Sequence, residues 1–477
     1  MTFTDYAKHD GLALADLVAR QEVSPAELVE AAIAAIERHD PALNAVVLRQ
    51  FEAARTRAAK PKALPEGPFR GVPTLLKDLG FAEEGVPSGG GSRALQGVVA
   101  TADSLVVARS RAAGLIFCGR TNTPESGLCA TTEPLVHGPC GNPWDTGRTP
   151  GGSSGGAAAA VACAMVPLAS ASDGGGSIRI PAACCGLFGL KPSRHRVSAA
   201  PRGESWNGLA VVHAVTRSVR DSAALLDATA GPAPGDPSAA PAPAQPYLEE
   251  VSRPPGSLRI AVTAQSFYEQ PVAADCLAAL ADAAALCEAL GHQVEEAAPA
   301  YDKPALRQAY FTLLAANQAA DQRELAALLG REPGPDDLEP WTRRMIAIGA
   351  EHSGPQVLAA IRTLHREGRK IGQFHERYDV LLTPTLAQPP IPIGQLDMSI
   401  DDEALYTARS TAFSPFTRLA NCTGQPAMSL PLYWSAAGLP IGVMFTGRYG
   451  EEGLLLSLAG QLEQARPWFH RNPPIFG

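Results

Sequence analysis

Two glycine-rich segments hold the residues whose types and spacing suit covalent chemistry: Gly151-Gly152-Ser153-Ser154-Gly155-Gly156 and Ser172-Asp173-Gly174-Gly175-Gly176-Ser177-Ile178-Arg179. In the second, three successive glycines precede a serine. Successive glycines let neighbouring N–H groups turn toward one point, forming an anion-holding nest. Such a nest suits a developing oxyanion: Ser177 attacks a carbonyl while the N–H groups of Gly174, Gly175, Gly176 and Ser177 hold the charge. The plain alternative is a flexible turn or a phosphate loop, although no GxxxxGK[ST] accompanies it. A serine nucleophile also needs a base. Residues 151–155 fit the GxSxG pattern of a nucleophile elbow, which requires Asp and then His downstream. Histidines such as His195, His213 and His292 follow, none in an informative context. Spacing alone leaves both arrangements open.

The chain that must position these serines has 477 residues, 45% of them hydrophobic, with 45 Gly and 42 Pro. That is enough for a large core and many tight turns. Net charge is −8, and no basic block is present, which argues against nucleic acid as a partner. The N-terminus, MTFTDYAKHD, lacks a charged-then-apolar signal region, and the most apolar stretch, 157–171, is Ala-rich and broken by Pro167. Nine cysteines occur without a CxxC pair or metal spacing. They are expected to be buried free thiols, and the setting a reducing, cytoplasmic one without a membrane partner. No cofactor or metal is implied.

Residues 24–38 predict an amphipathic helix: Ser24 caps it, Pro25 opens it, Glu27 completes a capping box, and Pro41 ends it. From 69 to 198 short apolar runs alternate with glycine turns and Ala-rich stretches, which predicts buried strands between helices in a layered α/β sheet. Residues 231–246, rich in Pro and Ala, predict a loop. Further strands are expected at 258–263, near Val294, and at 379–384, 427–432 and 441–445. A helix is expected at 275–290 with Gly291 as its stop. Residues 300–375 read as polar helices. The preferred parse is one domain, 1–477, with a signature core at 69–198 and a variable helical insertion at roughly 300–375 that shapes the pocket.

GVPTLLKD (71–78), GRTNTPE (119–125), GNPWDTGRTPGGSSGG (141–156), SDGGGSIRIPAACCGLFGLKPS (172–193) and GLPIGV (438–443) together resemble the amidase signature family. The match runs in order over nearly the whole chain. The resemblance implies a three-layer α/β/α fold around a large twisted mixed sheet. It also implies a Ser–cis-Ser–Lys base system, with Lys77 as base, Ser153 as bridging serine and Ser177 as the acyl-bearing nucleophile. Lysine is a base only when neutral, so Lys77 must be buried without a carboxylate partner. Adjacent Asp78 is expected to point to the opposite side of the strand. Ser154 is expected to bond around Lys77. Asp173 and Arg179 match positions that brace the loop, a plain structural ion pair being equally open. Thr131, Thr132 and Glu133 are expected to line the approach.

Ile180 stands where amidotransferase subunits of the family carry Gln, which argues against that role. Within the family the chain looks closest to hydrolases of nylon-type cyclic amide dimers, and it also resembles aryl acylamidases and urethanase-type, carbamate-cleaving members. The implied activity is hydrolysis of a small-molecule amide or carbamate by a monomer or homodimer. Tyr310, Leu314, Trp341 and Phe413 are expected to wall the pocket, with a core role for each equally open.

Overall fold

The computed structural model describes residues 5–477. Among these, eleven strands form one mixed sheet. They are β1 (Val46–Arg49), β2 (Pro73–Lys77), β3 (Ile116–Thr121), β4 (Leu168–Asp173), β5 (Phe188–Lys191) and β6 (Val211–Thr216), then β7 (Arg259–Val262), β8 (Gln293–Glu296), β9 (Val380–Pro384), β10 (Ala427–Trp434) and β11 (Pro440–Thr446). Their order is β1-β3-β2-β4-β6-β5-β10-β11-β9-β7-β8. The pairs β3–β2, β2–β4, β9–β7 and β7–β8 are parallel. The centre, from β4 through β6, β5, β10 and β11 to β9, is antiparallel.

Two large apolar clusters flank this sheet. One packs the helices Pro25–Leu43 and Gly155–Ala162 on β2, β3 and β4, through residues such as Ile33, Ala159, Leu75 and Ile116. The other packs Val219–Thr229, Ala274–Ala289 and Glu452–Ala465 on β5, β7 and β9–β11, through Leu226, Ala283, Leu458 and Val443. Strands β2, β3, β5, β9 and β11 are buried along their whole length and so on both faces, as the expected α/β/α layering requires. The strands expected in the second half are all present within a residue or two. All nine cysteines are free and buried.

One boundary differs. The Ser24 capping box forms as expected, but the helix runs through Pro41 to Leu43. Near a C-terminus proline removes one donor from a turn that other groups can complete. Here Asn44, in the left-handed region at φ 50°, closes the helix by donating its N–H to Asp40 O at 2.7 Å. The Asp40 carboxylate then accepts from the N–H groups of Ala45 and Val46 and turns the chain into β1.

The segment 300–375 is helical, as expected: Lys303–Leu329, Pro340–Ala350 and Gly354–Arg377. Among the described residues no helix is long and apolar enough to cross a membrane.

Candidate active site

Lys77 is the last residue of β2, and neighbouring β4 carries Ser170 and Ser172. Register fixes the outcome: Leu75 lies opposite Ala169, so the Ser170 hydroxyl accepts from the Lys77 backbone N–H at 2.7 Å. Two residues further, Ser172 presents its hydroxyl on the same side, 2.9 Å from the Lys77 amine. A third serine arrives from the loop before the helix Gly155–Ala162: Lys77 Nζ donates to Ser153 Oγ at 2.6 Å. The Gly152–Ser153 peptide bond is cis. Gly152 is required there, since a side chain would run into the Thr131 backbone.

The Lys77 amine therefore contacts two neutral hydroxyls and is fully buried. Burial pushes it down to about 7, and the charge of Asp173 only partly restores the proton's hold. Asp78, the adjacent acid, turns away as expected. Its carboxylate accepts from the Gly89 N–H at 3.1 Å, and burial lifts it to about 6. An amine in this state is able to take a proton near neutral pH.

Ser177 ends the glycine loop after β4. The loop is held by a buried pair: Arg179 Nε and Nη2 each meet the Asp173 carboxylate at 2.9 Å. Burial alone would raise Asp173, but the Arg179 guanidinium overrides it and, with Lys191 and Asn421, holds the carboxyl well below its usual range. The same carboxylate accepts from the N–H groups of Gly176 (2.7 Å) and Ile178 (3.1 Å). The Asp173–Arg179 pair is thus both an ion pair and a brace. Replacing Asp173 by Ala is expected to cost about 3–5 kcal/mol of stability, since Arg179 stays buried and unpaired. Urea unfolding checks this.

The nest differs from expectation in one donor. The Gly176 N–H is spent on Asp173 and does not face a substrate. The loop carbonyls are also occupied: Gly174 O accepts from the Tyr310 hydroxyl (3.2 Å), Gly175 O from Thr417 Oγ1 (2.6 Å), and Gly176 O from the Ile180 N–H (2.7 Å). In a trans peptide the N–H points opposite the carbonyl. The anchors at Gly174 O and Gly176 O therefore aim the N–H groups of Gly175 and Ser177 the other way. Neither of these, nor that of Gly174, has a protein partner among the described residues.

Ser177 and Gly175 border a cavity of about 370 Å³. Exposure grades outward: Lys77 is 0% exposed, Ser153 2% and Ser177 9%. Gly127 also borders the cavity, and a Cβ on it would lie 3.1 Å from Ser153 Oγ, so Ser153 sits just behind the wall.

Several expected residues stand elsewhere. The Thr131 hydroxyl donates to Leu396 O at 2.5 Å, and Thr132 Oγ1 donates to Gly151 O at 2.9 Å while accepting from the Gly155 N–H. Both threonines are fully buried: the Thr132 hydroxyl braces the serine loop, and the Thr131 backbone packs against Gly152. The cavity wall at this point is residues 127–130. Glu133 accepts from the Gly394 N–H and is likewise no part of the wall. Ser154 bonds the backbone of Ser172 rather than Lys77. Ser172, not singled out in the sequence, makes the direct contact. Tyr310, Leu314 and Trp341 wall the cavity, and Ile180 joins them. Phe413 lies in the core.

A family model described as Amidase matches residues 27–456. The chain belongs to the amidase family. The amidase is 40% identical over 480 residues to 6-aminohexanoate-cyclic-dimer hydrolase of Pseudomonas sp. (strain NK87), covering 98% of this chain and 96% of the relative. It is 38% identical over 484 residues to Putative amidase AmiB2 of Mycobacterium tuberculosis, covering 99% of each. A solved structure of 6-aminohexanoate cyclic dimer hydrolase complexed with substrate superposes with a TM-score of 0.92 at 38% identity, covering 99% of this chain and 100% of that one. A bacterial aryl acylamidase of the amidase signature family gives 0.86 at 29% identity, covering 97% of each. The amidase is accordingly a hydrolase acting on carbon–nitrogen bonds other than peptide bonds.

Proposed function

We propose that this amidase cleaves small carboxylic amides through an acyl-enzyme on Ser177, with Ser153 and Lys77 as the relay that removes and returns the proton. The carrying observation is the fully buried Lys77 amine, bonded to the hydroxyls of Ser153 and Ser172 and held down to about 7 by burial. Lys77 draws a proton through Ser153 from Ser177, and Ser177 Oγ attacks the carbonyl carbon. The oxyanion rests on the N–H groups of Gly175 and Ser177, with Gly174 beside them. The proton returns through Ser153 to the leaving nitrogen, and the amine departs. Water, deprotonated by the same relay, then frees the acid.

Relatives named for 6-aminohexanoate cyclic dimer support an aliphatic amide as substrate. Two arrangements contribute to turnover in different ways: the relay raises kcat, whereas the cavity sets which amide is held. The test is a panel of anilides, aliphatic amides, cyclic amides and carbamates, run with a Ser177→Ala control. Hydrolysis of no amide by the wild type, or of the same amides by the control, would overturn the reading.

The rate is also expected to depend on pH in a defined direction. Lys77 acts when neutral, so kcat/KM falls about tenfold per pH below roughly 7 and levels off above it. The negative charge of Asp173 favours protonated Lys77, so Asp173→Asn moves that limb to lower pH. Rates measured from pH 5 to 9 read both effects, and a flat profile speaks against Lys77 as base.

A further inference from the structure

We propose that the cavity is built for an amide that also carries a carboxylate, and that Arg418 is the residue that selects it. This rests on the amide-hydrolase reading above and adds the substrate's charge. The cavity wall contains two cations, Arg307 and Arg418, and no Asp or Glu. Arg307 is already paired, 3.4 Å from Glu269. Arg418 has no acid within ion-pair range among the described residues. Its contacts are neutral: Nη1 donates to Ser414 O at 3.1 Å, Nη2 donates to Ser410 Oγ at 3.2 Å, and the guanidinium lies 5.1 Å from the centre of the Tyr268 ring.

Other buried guanidiniums near the site meet carboxylates or several carbonyls. Arg179 and Arg196 have carboxylates. Arg194 donates to the carbonyls of Gly208, Asn421 and Cys422. Arg418 lines the cavity with a single carbonyl, one serine hydroxyl and the phenols of Tyr268 and Tyr310 as its polar neighbours, all of them neutral. A guanidinium carries five N–H donors in a planar fork that fits a carboxylate. Leaving such a cation without an anion in a partly dry site is costly unless a ligand supplies one.

Position gives the second argument. The Arg418 stem packs on the nucleophile loop: its Cγ would lie 3.6 Å from a Cβ on Gly175. Gly175 is two residues from Ser177. A carboxylate on this fork is therefore held within a few bonds of the scissile carbonyl, and a neutral amide of the same size forgoes the contact. Around the fork the phenols of Tyr268, Tyr310 and Tyr406 stay protonated, each pushed up by burial, and none competes as an anion.

The test measures binding to the Ser177→Ala protein, so that it does not require turnover. Succinanilic acid carries its carboxylate on the acyl arm and 4-acetamidobenzoate on the amine arm; each is compared with its methyl ester by calorimetry. The acid of at least one pair is expected to bind about tenfold to a hundredfold tighter than its ester. Arg418→Met in the same background removes that preference, Arg418→Lys keeps part of it, and Arg307→Met keeps it. Equal or absent binding of acids and esters overturns the proposal, as does a preference that survives Arg418→Met or disappears with Arg307→Met. Should the acid bind preferentially while wild-type protein hydrolyses no amide in the panel, the charge selection stands and the catalytic reading fails.

Discussion

Ser177→Ala is expected to lower kcat by about 10⁴-fold or more while leaving the fold unchanged. The loop that carries Ser177 is secured by groups other than its hydroxyl. Asp173 and Arg179 hold it from the buried side, and Tyr310, Thr417 and the Ile180 N–H occupy its three glycine carbonyls. Removing one oxygen at the cavity surface leaves these intact, and the stability change should stay within about 0.5 kcal/mol. Paired turnover and thermal-unfolding measurements separate the two quantities. A sulfonyl fluoride adds an independent check, because mass spectrometry should find the label on the peptide containing Ser177. Near-normal turnover in the variant would remove Ser177 as nucleophile, whatever the label does.

Lys77→Met is expected to do two opposite things: turnover falls by about 10²–10⁴-fold, and the protein becomes more stable at neutral pH. The sign follows from where the amine titrates. In the folded chain it is held down to about 7, whereas its ordinary value is 10.5. Between those values the unfolded chain binds a proton that the folded chain does not, so stability contributed by this residue rises with pH. At pH 7 the cost is about 4 kcal/mol, and it vanishes only as pH passes 10.5. Methionine fills similar space without that cost. It leaves the hydroxyls of Ser153 and Ser172 without their donor, at about 1 kcal/mol each, so a net gain of about 2 kcal/mol remains. Urea unfolding at pH 7 and pH 10 measures it, and the gain should shrink at the higher pH. A variant that keeps wild-type turnover would dismiss Lys77 as the base, while one that loses stability at pH 7 would show that the amine is not held neutral.

Much of this arrangement is carried by local signals. The Ser24 capping box and the apolar runs that become β7, β9, β10 and β11 lie within one short stretch each, and short-range chemistry determines them. The glycine loops are equally local, which is why Ser153 and Ser177 stand out. What was not legible depends on partners far along the chain. Ser172 meets Lys77 because β2 and β4 are neighbours in one register, a fact that neither strand contains alone. The Gly176 N–H is taken by Asp173 because the peptide plane is set jointly by Thr417 and the Asp173–Arg179 pair. Thr131 and Thr132 adjoin the active serine loop, yet their hydroxyls are taken by the carbonyls of Leu396, far along the chain, and of Gly151, in the loop itself. Pro41 misled for a simpler reason: a proline near a helix end removes one donor, and Asn44 with Asp40 completes the turn.

The division of the cavity between two parts of the chain has a consequence for how such a molecule diversifies. Lys77, Ser153 and Ser177 come from the strands and loops of the first 180 residues, whereas the facing wall comes from Trp206, Tyr268 and the segment 304–418. Two contacts between these parts set the nucleophile loop itself, the Tyr310 hydroxyl on Gly174 O and the Thr417 hydroxyl on Gly175 O. Inheritance can therefore rewrite the facing wall residue by residue, changing which molecules are admitted, provided those two hydroxyls persist. A lineage of this architecture is free to wander in diet while its bond-breaking apparatus stands still.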